Sequence, residues 1–225
     1  MDNDVLRQAP LFSALDDEAA TALRASMAES RLRRGEVLFH EGDEGDKLYI
    51  VTDGKVKLGR TSSDGRESII AVLGSGEMLG ELSLFDPGPR TATAVAVSNT
   101  KVLSMSHEAL LPWLVGRPDL AVSLLAALAR RLRRTNEALA DLVFSDVPGR
   151  VAKALLELGS KFGEDTPEGL LVHHELTQEE LAQLVGASRE TVNKALADFS
   201  QRGWIRIEQR SVTLLDVDRL DRRAR

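Results

Sequence analysis

Cysteine is absent from the 225-residue sequence, which excludes disulfide bonds, thiolate metal sites and iron–sulfur clusters. Long hydrophobic runs are also absent. Because no stretch reaches the roughly 18 apolar residues of a membrane span, no transmembrane helix is expected. The N-terminal residues lack the basic and then apolar layout of a signal peptide. Together these absences favour a cytoplasmic protein without a membrane partner.

An excess of positive charge is missing as well. The formal net charge is −6, and residues 146–225 alone contain 12 Lys/Arg against 14 Asp/Glu. A protein that binds nucleic acid through bulk charge is usually basic, so any DNA binding must depend on a local group of residues. The apolar content of 43% is ordinary for a protein with a real core, and the length suits one large or two small domains.

Histidine is scarce, and no nucleophile–base pair stands out. The four histidines are His40, His107, His173 and His174. A cupin-like metalloenzyme would also use a small β-barrel, but it needs clustered histidines and carboxylates inside the barrel. Only His40 falls within the barrel predicted below. The sequence therefore predicts a protein that is not an enzyme and holds no metal, and the cupin-like enzyme is the disfavoured alternative.

The first half of the chain predicts short helices followed by a β-barrel. Leu11, Leu15, Ala19 and Leu23 share one helix face in residues 1–29. From Arg31 onward, short apolar runs alternate with Gly- and Asp-containing turns at intervals of roughly ten residues. The runs are Val37–Phe39, Leu48–Val51, Val56–Leu58, Ile69–Leu73, Ala92–Val97 and Val102–Leu103. This rhythm is typical of an antiparallel β-barrel or jelly roll.

A heptad stripe follows the barrel. Its members are Ala121, Leu125, Leu128, Leu132, Thr135, Leu139 and Leu142. Alternating steps of four and three are typical of two helices that pack along a shared seam, so the stripe predicts a homodimer. An amphipathic helix lying on its own domain remains an alternative, since about three heptads is the minimum for a coiled coil. The polar position Thr135, followed by Asn136, indicates a role in register or function.

The last third of the chain predicts a winged helix-turn-helix. Asp146 and Pro148 start a helix that runs to about Phe162, residues 163–169 form a loop, and residues 170–174 form a short strand. Thr177 and Glu180 form a capping box, and Ser188 caps the next helix after a short turn. A predicted hairpin then covers residues 204–215. Two short helices with a Gly-containing turn, followed by a hairpin, have the layout of this DNA-binding fold.

An irregular insertion, residues 80–91, carries the first candidate site. Gly80 allows backbone N–H groups to approach an anion at the start of a short helical turn, and Arg90 can bind phosphate oxygens with its planar fork. Glu81 would repel a phosphate but can accept a hydrogen bond from a sugar hydroxyl. The three residues together predict a site for a phosphorylated nucleoside of low charge. The alternative is a turn with a surface ion pair between Glu81 and Arg90.

The helix that follows Ser188 carries the second candidate site. Arg189 can bind guanine O6 and N7 together, and Glu190 can accept from cytosine N4. Both lie in the first turns with Asn193 and Lys194, while Val192, Leu196 and Phe199 are predicted to face the domain interior. The alternative is a solvated helix face with an i,i+4 pair between Glu190 and Lys194.

These motifs resemble those of the Crp–Fnr transcription regulators. Gly80-Glu81-Leu82-Ser83 followed by Arg90-Thr91 resembles the phosphate-binding cassette of cyclic-nucleotide-binding domains. The order of barrel, long helix and winged helix resembles the cyclic AMP receptor protein branch, and segments such as FSDVPGRVAK and LTQEELAQLVGASRETVNKALADF resemble its actinobacterial members most. The resemblance implies an allosteric homodimer that binds cyclic AMP and double-stranded DNA, and RNA polymerase is a further expected partner.

The resemblance also implies roles for individual residues at the nucleotide. Glu81 would bind the ribose 2′-hydroxyl, and Arg90 would pair with the cyclic phosphate, assisted by Ser83 and Thr91. Thr135 would meet the adenine amino group from its own subunit, and Asn136 from the other subunit. The expected strand edge along the nucleotide comprises Gly65, Arg66, Glu67, Ile69, Ile70 and Ala71, and Gly80 and Leu82 complete the expected contact set. Thr91 and Asn136 stand where the best-known enterobacterial member has serines.

For DNA, the resemblance implies that Arg189, Glu190 and Lys194 read a TGTGA-like half-site of a palindrome. The family prototype has arginine at the last position, and lysine is a point donor, so readout of that base should be looser. Thr177, Gln178 and Ser188 are the expected phosphate contacts, which position the protein but do not specify sequence. Thr191 and Asn193 complete the expected interface.

Three parts are therefore expected along the chain. Residues 1–116 would form the nucleotide-binding β-roll with its N-terminal helices, residues 117–145 the dimerisation helix and hinge, and residues 146–225 the winged helix-turn-helix domain. A regulator of the same fold that works without a ligand, or with a different effector, is the remaining alternative. The intact pair of Glu81 and Arg90 argues against it.

Overall fold

The computed structural model describes residues 7–86 and 88–225, without the side chains of Leu11, Leu84 and Phe85. The expected apolar position Leu11, the helical segment before Arg7, and Pro87 of the insertion therefore lie outside what is described. The remaining predicted elements can all be compared with the structure.

The elements are, in chain order, α1 (Pro10–Ser13), α2 (Asp17–Ala25), β1 (Ala28–Leu32), β2 (Val37–Phe39), β3 (Lys47–Asp53), β4 (Val56–Thr61), β5 (Glu67–Leu73), β6 (Met78–Leu79), α3 (Leu82–Phe85), β7 (Thr93–Ala96), β8 (Thr100–Ser106), α4 (His107–Gly116), α5 (Pro118–Phe144), α6 (Val147–Phe162), β9 (Gly163–Thr166), β10 (Gly169–Val172), α7 (Gln178–Val185), α8 (Arg189–Gln201), β11 (Ile205–Glu208), β12 (Ser211–Leu214) and α9 (Val217–Ala224). They confirm an N-terminal antiparallel sheet domain, a long helix and a C-terminal helix-turn-helix.

The chain divides into two compact units. The first contains the described residues up to Arg60 together with Ala71–Arg134, and the second contains Thr61–Ile70 together with Thr135–Arg225. Helix α5 contributes its first part to one unit and its last ten residues to the other.

The β-roll is made of two four-stranded sheets, with strand orders β1-β8-β3-β6 and β2-β7-β4-β5. The strand pairs with a described register are antiparallel, and β3 pairs with β8 from Lys47–Ser106 to Asp53–Lys101 with one irregularity. The predicted jelly-roll class is thus confirmed, although the sheets do not close into a continuous barrel in the described strands.

Strand β3 supplies both cores of the first unit, because successive side chains of a strand point to opposite faces. Leu48 and Ile50 pack with the apolar faces of the helices, whereas Val51 packs with residues of the facing sheet. The helical core contains Phe12, Leu23, Leu110, Leu120 and Leu124, and the inter-sheet core contains Val56, Leu58, Leu79, Ala94 and Val102.

Three strands were not predicted. Four of the five residues of β1 are exposed, and β6 has only two residues, so neither shows an apolar period of two. The loop predicted at residues 163–169 is wrong, because Gly163–Thr166 forms a strand at the edge of a sheet of order β11-β12-β10-β9. Its backbone pairs with β10, from Val172–Gly163 to Gly169–Thr166, and this pairing needs no apolar side chains.

The second unit is built as the sequence predicts, with an added C-terminal helix. Asp146 caps α6 by accepting from the Gly149 N–H at 2.9 Å, and Pro148 lies in the first turn. Gly186 ends α7 with φ +68°, a conformation that glycine adopts without strain. The core contains Val151, Leu155, Leu181, Val192, Leu196, Phe199, Val212 and Leu214. Helix α9, which was not predicted, packs on α6 and buries Leu220.

Helix α5 exposes much of the predicted seam. Leu125, Leu132, Leu139 and Leu142 are each 54–62% exposed, whereas Leu120 and Leu124 are buried in the first unit. Leu125, Leu132 and Leu139 are therefore not buried against their own domain, as the alternative of an intradomain stripe would require, whereas Leu142 also contacts the end of α7. No single described helix is long and apolar enough to cross a membrane, and only α4 with α5, across a 116° bend, meets that criterion as a pair.

Candidate nucleotide site and nucleic-acid interface

Arg90 is a buried cation without a carboxylate partner among the described residues. Its side chain is 4% exposed, and its two terminal nitrogens donate to backbone carbonyls, Nη1 to Gly80 O at 3.2 Å and Nη2 to Lys47 O at 2.7 Å. The guanidinium carbon lies 4.4 Å from the centroid of the Phe39 ring. Its Nε is buried and has no hydrogen-bond partner. Because an isolated buried charge is costly, this environment favours an anion at Arg90.

Gly80 makes this placement of Arg90 possible. Its φ is +82°, and an added Cβ would lie 2.6 Å from Arg90 Nη1 and 2.7 Å from Lys47 O. Any other residue would be strained and would push the guanidinium out of place. The glycine is thus required for the position of the arginine, in addition to the backbone access predicted from the sequence.

Glu81 is also buried, at 3% exposure, and its partner is Arg131 of helix α5. One carboxylate oxygen, Oε1, accepts from Arg131 Nη1. The other, Oε2, is buried and has no hydrogen-bond partner. The alternative of a surface ion pair between Glu81 and Arg90 is wrong, because both side chains are buried and Glu81 pairs with a different arginine.

The two unpaired atoms define what the site can bind. Arg90 Nε is a charged donor, Glu81 Oε2 is an acceptor, and the two residues are linked through Gly80. A buried polar atom without a partner costs about 1–3 kcal/mol, or more when charged. A ligand that offers one anionic oxygen and one hydroxyl would satisfy both atoms. The predicted phosphorylated nucleoside of low charge has both groups.

The rest of the insertion is more exposed. Leu82 and Thr91 are exposed, and Ser83 Oγ makes a long contact of 3.5 Å with Gly88 O. Helix α3 begins directly after Glu81, whose side chain makes no capping hydrogen bond to it. The structure thus brings Gly80, Glu81 and Arg90 together.

The expected strand edge lies on the hairpin between β4 and β5. Gly65 closes the turn with φ +82°, and Arg66 pairs with Asp64 at 2.8 Å. The pKa of Asp64 is lowered, first by the Ser62 hydroxyl and then by Arg66. In strand β5, Ile69 is buried, Glu67 and Ile70 are exposed, and Ala71 is half-buried.

Thr135 and Asn136 are both exposed on α5. Thr135 lies on the same stripe as the exposed seam leucines, at heptad spacing from Leu132 and Leu139. Their expected contacts with a base remain predictions, as does the pairing of the seam with a second chain.

The predicted DNA-reading helix, α8, has the expected orientation. Val192, Leu196 and Phe199 are at most 4% exposed, while Arg189, Glu190, Thr191 and Lys194 are exposed. Lys194 Nζ lies 2.7 Å from Glu190 Oε1, so the i,i+4 pair is present. Both side chains are about three-quarters exposed, and the pair can open at little cost to contact a base. Asn193 is half-buried and its Oδ1 has no partner.

Two of the expected phosphate-contacting hydroxyls act as helix caps. Thr177 Oγ1 accepts from the Glu180 N–H at 3.1 Å within a complete capping box. Ser188 Oγ accepts from the Thr191 N–H at 3.2 Å and lies 2.8 Å from Thr191 Oγ1. Gln178 follows Thr177 in the first turn of α7. These caps fix where α7 and α8 begin.

A groove of about 280 Å³ runs between these helices and the wing, defined here as β11, β12 and their turn. Its lining includes Thr177, Gln178 and Arg189 of these helices and Arg210 of the turn. The Glu175 N–H donates to Arg210 O at 2.9 Å, and both residues have φ +64°. Left-handed backbone is unusual for such residues, so this contact fixes the turn beside the start of α7.

Neither Arg131 nor Arg210 was predicted from the sequence as part of a site. Arg131 is one of four arginines in the run from Arg130 to Arg134, and the sequence does not show which of them reaches the buried carboxylate. A heptad count places Arg131 beside the seam, which is the only signal that separates it from its neighbours. Arg210 follows Gln209 in a turn without glycine, so its left-handed backbone carries no usual sequence mark.

A metal is not supported by any cluster in the described part of the chain. No group of three or more His, Asp or Glu residues there is arranged to hold a metal ion.

Comparisons with known proteins identify the two domains that contain these candidate sites. A family described as "cyclic nucleotide-binding domain" matches residues 29–114, and one described as "Crp-like helix-turn-helix domain" matches residues 149–223. The chain is 52% identical over 223 residues to the CRP-like cAMP-activated global transcriptional regulator of Mycobacterium tuberculosis, covering 99% of this chain and 100% of the relative. It is 38% identical to the cyclic AMP receptor protein of Thermus thermophilus, covering 94% and 97%.

A solved structure is similar as well. The c-di-GMP responsive global regulator CLP of Xanthomonas campestris matches with a TM-score of 0.76 and 26% identity, covering 88% of this chain and 99% of that chain. The relatives from M. tuberculosis and T. thermophilus are named for cyclic AMP, whereas the X. campestris regulator is named for c-di-GMP.

Proposed function

The chain belongs to the CRP-like family of transcription regulators, and on this premise we propose that it is a homodimeric regulator that binds cyclic AMP and palindromic TGTGA-like DNA sites. It is a DNA-binding regulator and not an enzyme. The ligand identity, the dimer, the DNA sequence and the residue roles are the proposed parts.

The pair of buried atoms without partners, Arg90 Nε and Glu81 Oε2, carries the ligand proposal. In a bound cyclic nucleotide, the single negative charge of the phosphodiester would lie at Arg90, and the ribose 2′-hydroxyl would donate to Glu81. The nearby cation Arg131 is already paired with Glu81. A net surplus of one buried positive charge fits a ligand with one phosphate better than a cyclic dinucleotide with two.

The proposed dimer rests on the exposed seam. Four leucines at heptad spacing, each more than half exposed, would be buried by a second α5 packed against them. Thr135 lies within this stripe and would meet the adenine base from its own chain, while Asn136 of the partner subunit would approach from the other side. The domain limits of 1–116, 117–145 and 146–225 are part of this proposal.

The proposed DNA contact rests on α8 and the groove beside it. Arg189, Glu190 and Lys194 would read bases in the major groove, with Thr191 and Asn193 on the same helix. Thr177, Gln178 and Ser188, together with Arg210 of the wing, would hold the phosphate backbone. RNA polymerase is the proposed further partner, and regulation at bacterial promoters would take place in the cytoplasm.

Nucleotide and DNA would be coupled through helix α5. Arg131 ties Glu81 to this helix, and the same helix carries the seam. A ligand that completes the hydrogen bonds of Glu81 would favour one packing of the two paired helices. By linkage, it would then raise affinity for DNA only as far as it prefers that packing.

Calorimetric titration of the full-length chain with cyclic AMP, cyclic GMP and c-di-GMP tests the ligand. We expect saturable heat with cyclic AMP at one site per chain, and weaker heat with the other two. A gel-shift series on a TGTGA palindrome, with and without the nucleotide, tests the DNA site. Binding of c-di-GMP alone would support the different-effector alternative, and no heat from any of the three would overturn the ligand proposal.

A further inference from the structure

Arg150, in the first turn of α6, connects three backbone carbonyls of the second unit. Its Nη1 donates to Ser145 O at 2.8 Å, directly after the end of α5. Its Nε donates to Val185 O at 3.1 Å, and Nη2 lies 3.4 Å from Gly186 O, both at the end of α7. One side chain therefore joins the end of the long helix to the end of the first helix of the helix-turn-helix.

The chemistry of these acceptors suits an arginine. The last carbonyls of a helix have no partner within the helix and carry its negative dipole end. A guanidinium has five donors in a rigid plane, so it can hold several such carbonyls at fixed relative positions. A lysine ammonium at the same position is a compact point charge and would hold the same carbonyls less rigidly.

Gly186 provides a second contact between the long helix α5 and the end of α7. An added Cβ at Gly186 would lie 3.2 Å from Leu142 Cδ2, so the last turns of α5 pack against the end of α7. Ser188 caps α8 only two residues after Gly186. The junction formed by Leu142, Ser145, Arg150 and Gly186 therefore fixes the start of α8 with respect to the end of α5.

We propose that Arg150 is a positioning residue that transmits the packing of α5 to the DNA-reading helix. It touches neither the base-reading side chains nor the nucleotide cassette in the described contacts. Its role would be to make α8 follow the end of α5. This inference rests on the proposed function, because it assigns a residue to the coupling between nucleotide and DNA.

The test compares Arg150→Gln with a matched control, Arg223→Gln. Arg223 pairs with Asp146 at 2.6 Å, next to Ser145, and this hydrogen bond does not involve α7. Each variant is measured for cyclic AMP affinity by calorimetry, for DNA affinity with and without saturating cyclic AMP, and for thermal stability. The deciding quantity is the coupling ratio, defined as the DNA dissociation constant without cyclic AMP divided by that with saturating cyclic AMP.

We expect Arg150→Gln to reduce this ratio at least fivefold relative to wild type, with cyclic AMP affinity of the free protein changed less than twofold. Arg223→Gln should keep the wild-type ratio even where its melting temperature falls equally. Arg150→Lys should give an intermediate ratio, and it decides the matter if the glutamine variant does not fold.

Failure of the proposed function and failure of the role of Arg150 give different results. If the wild-type chain binds neither cyclic AMP nor DNA, or its ratio is one, the proposed function fails and the inference with it. If the wild type is coupled and Arg150→Gln keeps the full ratio, only the inference is overturned. Equal loss of the ratio in Arg223→Gln would also overturn it, since the effect would then reflect general loosening of the junction.

Discussion

Glu81 uses one carboxylate oxygen to pair with Arg131 of helix α5 and leaves the other buried without a partner. The carboxylate thus has two functions at once. One oxygen holds the long helix against the insertion, and the other is free to accept from a ligand hydroxyl. This division explains why a negative side chain lies next to a predicted phosphate site.

Glu81→Gln should weaken cyclic AMP binding by about 10- to 100-fold, because a hydrogen bond to a charged group contributes about 1.5–3 kcal/mol. The dimer should persist, since Glu81 lies outside the seam. Calorimetry measures the affinity, and sedimentation measures the mass. Unchanged affinity would contradict the assignment of Oε2 to the ribose.

Arg90→Gln should abolish the rise in melting temperature that cyclic AMP gives the wild type. At a ligand concentration of about 100 times the dissociation constant, binding stabilises a folded protein by about 2.7 kcal/mol, and the variant would lose most of this. Without ligand, the variant should be close to wild type in stability, because a buried charge without a counter-ion is removed together with its carbonyl contacts. Thermal denaturation with and without the nucleotide gives both numbers.

Leu132→Glu should convert the proposed dimer to a monomer. The substitution places a charge in the middle of an apolar seam, where burial in the dimer would cost several kcal/mol. Arg133→Glu, one residue away and off the stripe, is the control and should remain dimeric. Sedimentation equilibrium reports the mass of each variant, and a dimeric Leu132→Glu would show that the stripe is not the interface.

Lys194→Arg should sharpen discrimination at one base of the half-site, because a guanidinium can donate two parallel hydrogen bonds where an ammonium acts as a point donor. A good bidentate contact discriminates by about 1–3 kcal/mol.

Arg189→Ala should remove specific DNA binding while leaving cyclic AMP affinity unchanged. Competition gel shifts with single-base variants of the site measure the DNA binding of both variants, and loss of nucleotide binding as well would indicate misfolding.

Asp146→Asn should remove a pH dependence at the start of α6. Arg223, and then the Gly149 N–H, lower the pKa of Asp146 in the folded chain. A lowered pKa adds stability above the unfolded value of 3.8, and this stability is lost as pH falls through the folded value. Asparagine keeps the cap but loses the charge. We expect a lower melting temperature than wild type at pH 7, and the difference should shrink as the pH falls below 3.8 and through the folded pKa.

Most of the fold could be predicted because its signals are local. The caps Asp146, Thr177 and Ser188 bind N–H groups three residues away, and each began its helix where predicted. Strand β9 could not be predicted in the same way. Its polar residues are held by backbone pairing with β10, a contact that leaves no pattern in the side chains.

The candidate site was predictable in part for a similar reason. Gly80, Glu81 and Arg90 lie within one short insertion, so their meeting follows from a local turn. Arg131 is 50 residues from Glu81, and the choice among its neighbouring arginines depends on how α5 packs against the first unit. Burial was also hidden, since nothing in the sequence shows that the charged side chains of Glu81 and Arg90 are buried.

Helix α5 is continuous between Arg131 and Phe144, so a tilt of the helix at one end displaces the other end. At a rise of about 1.5 Å per residue, this stretch is about 20 Å long. A tilt of about 10° at the arginine would displace the far end by about 3.5 Å, close to the 3.4 Å spacing of successive bases on one DNA strand. The helix is therefore long enough for a small tilt at Arg131 to become a displacement of about one base step at its far end.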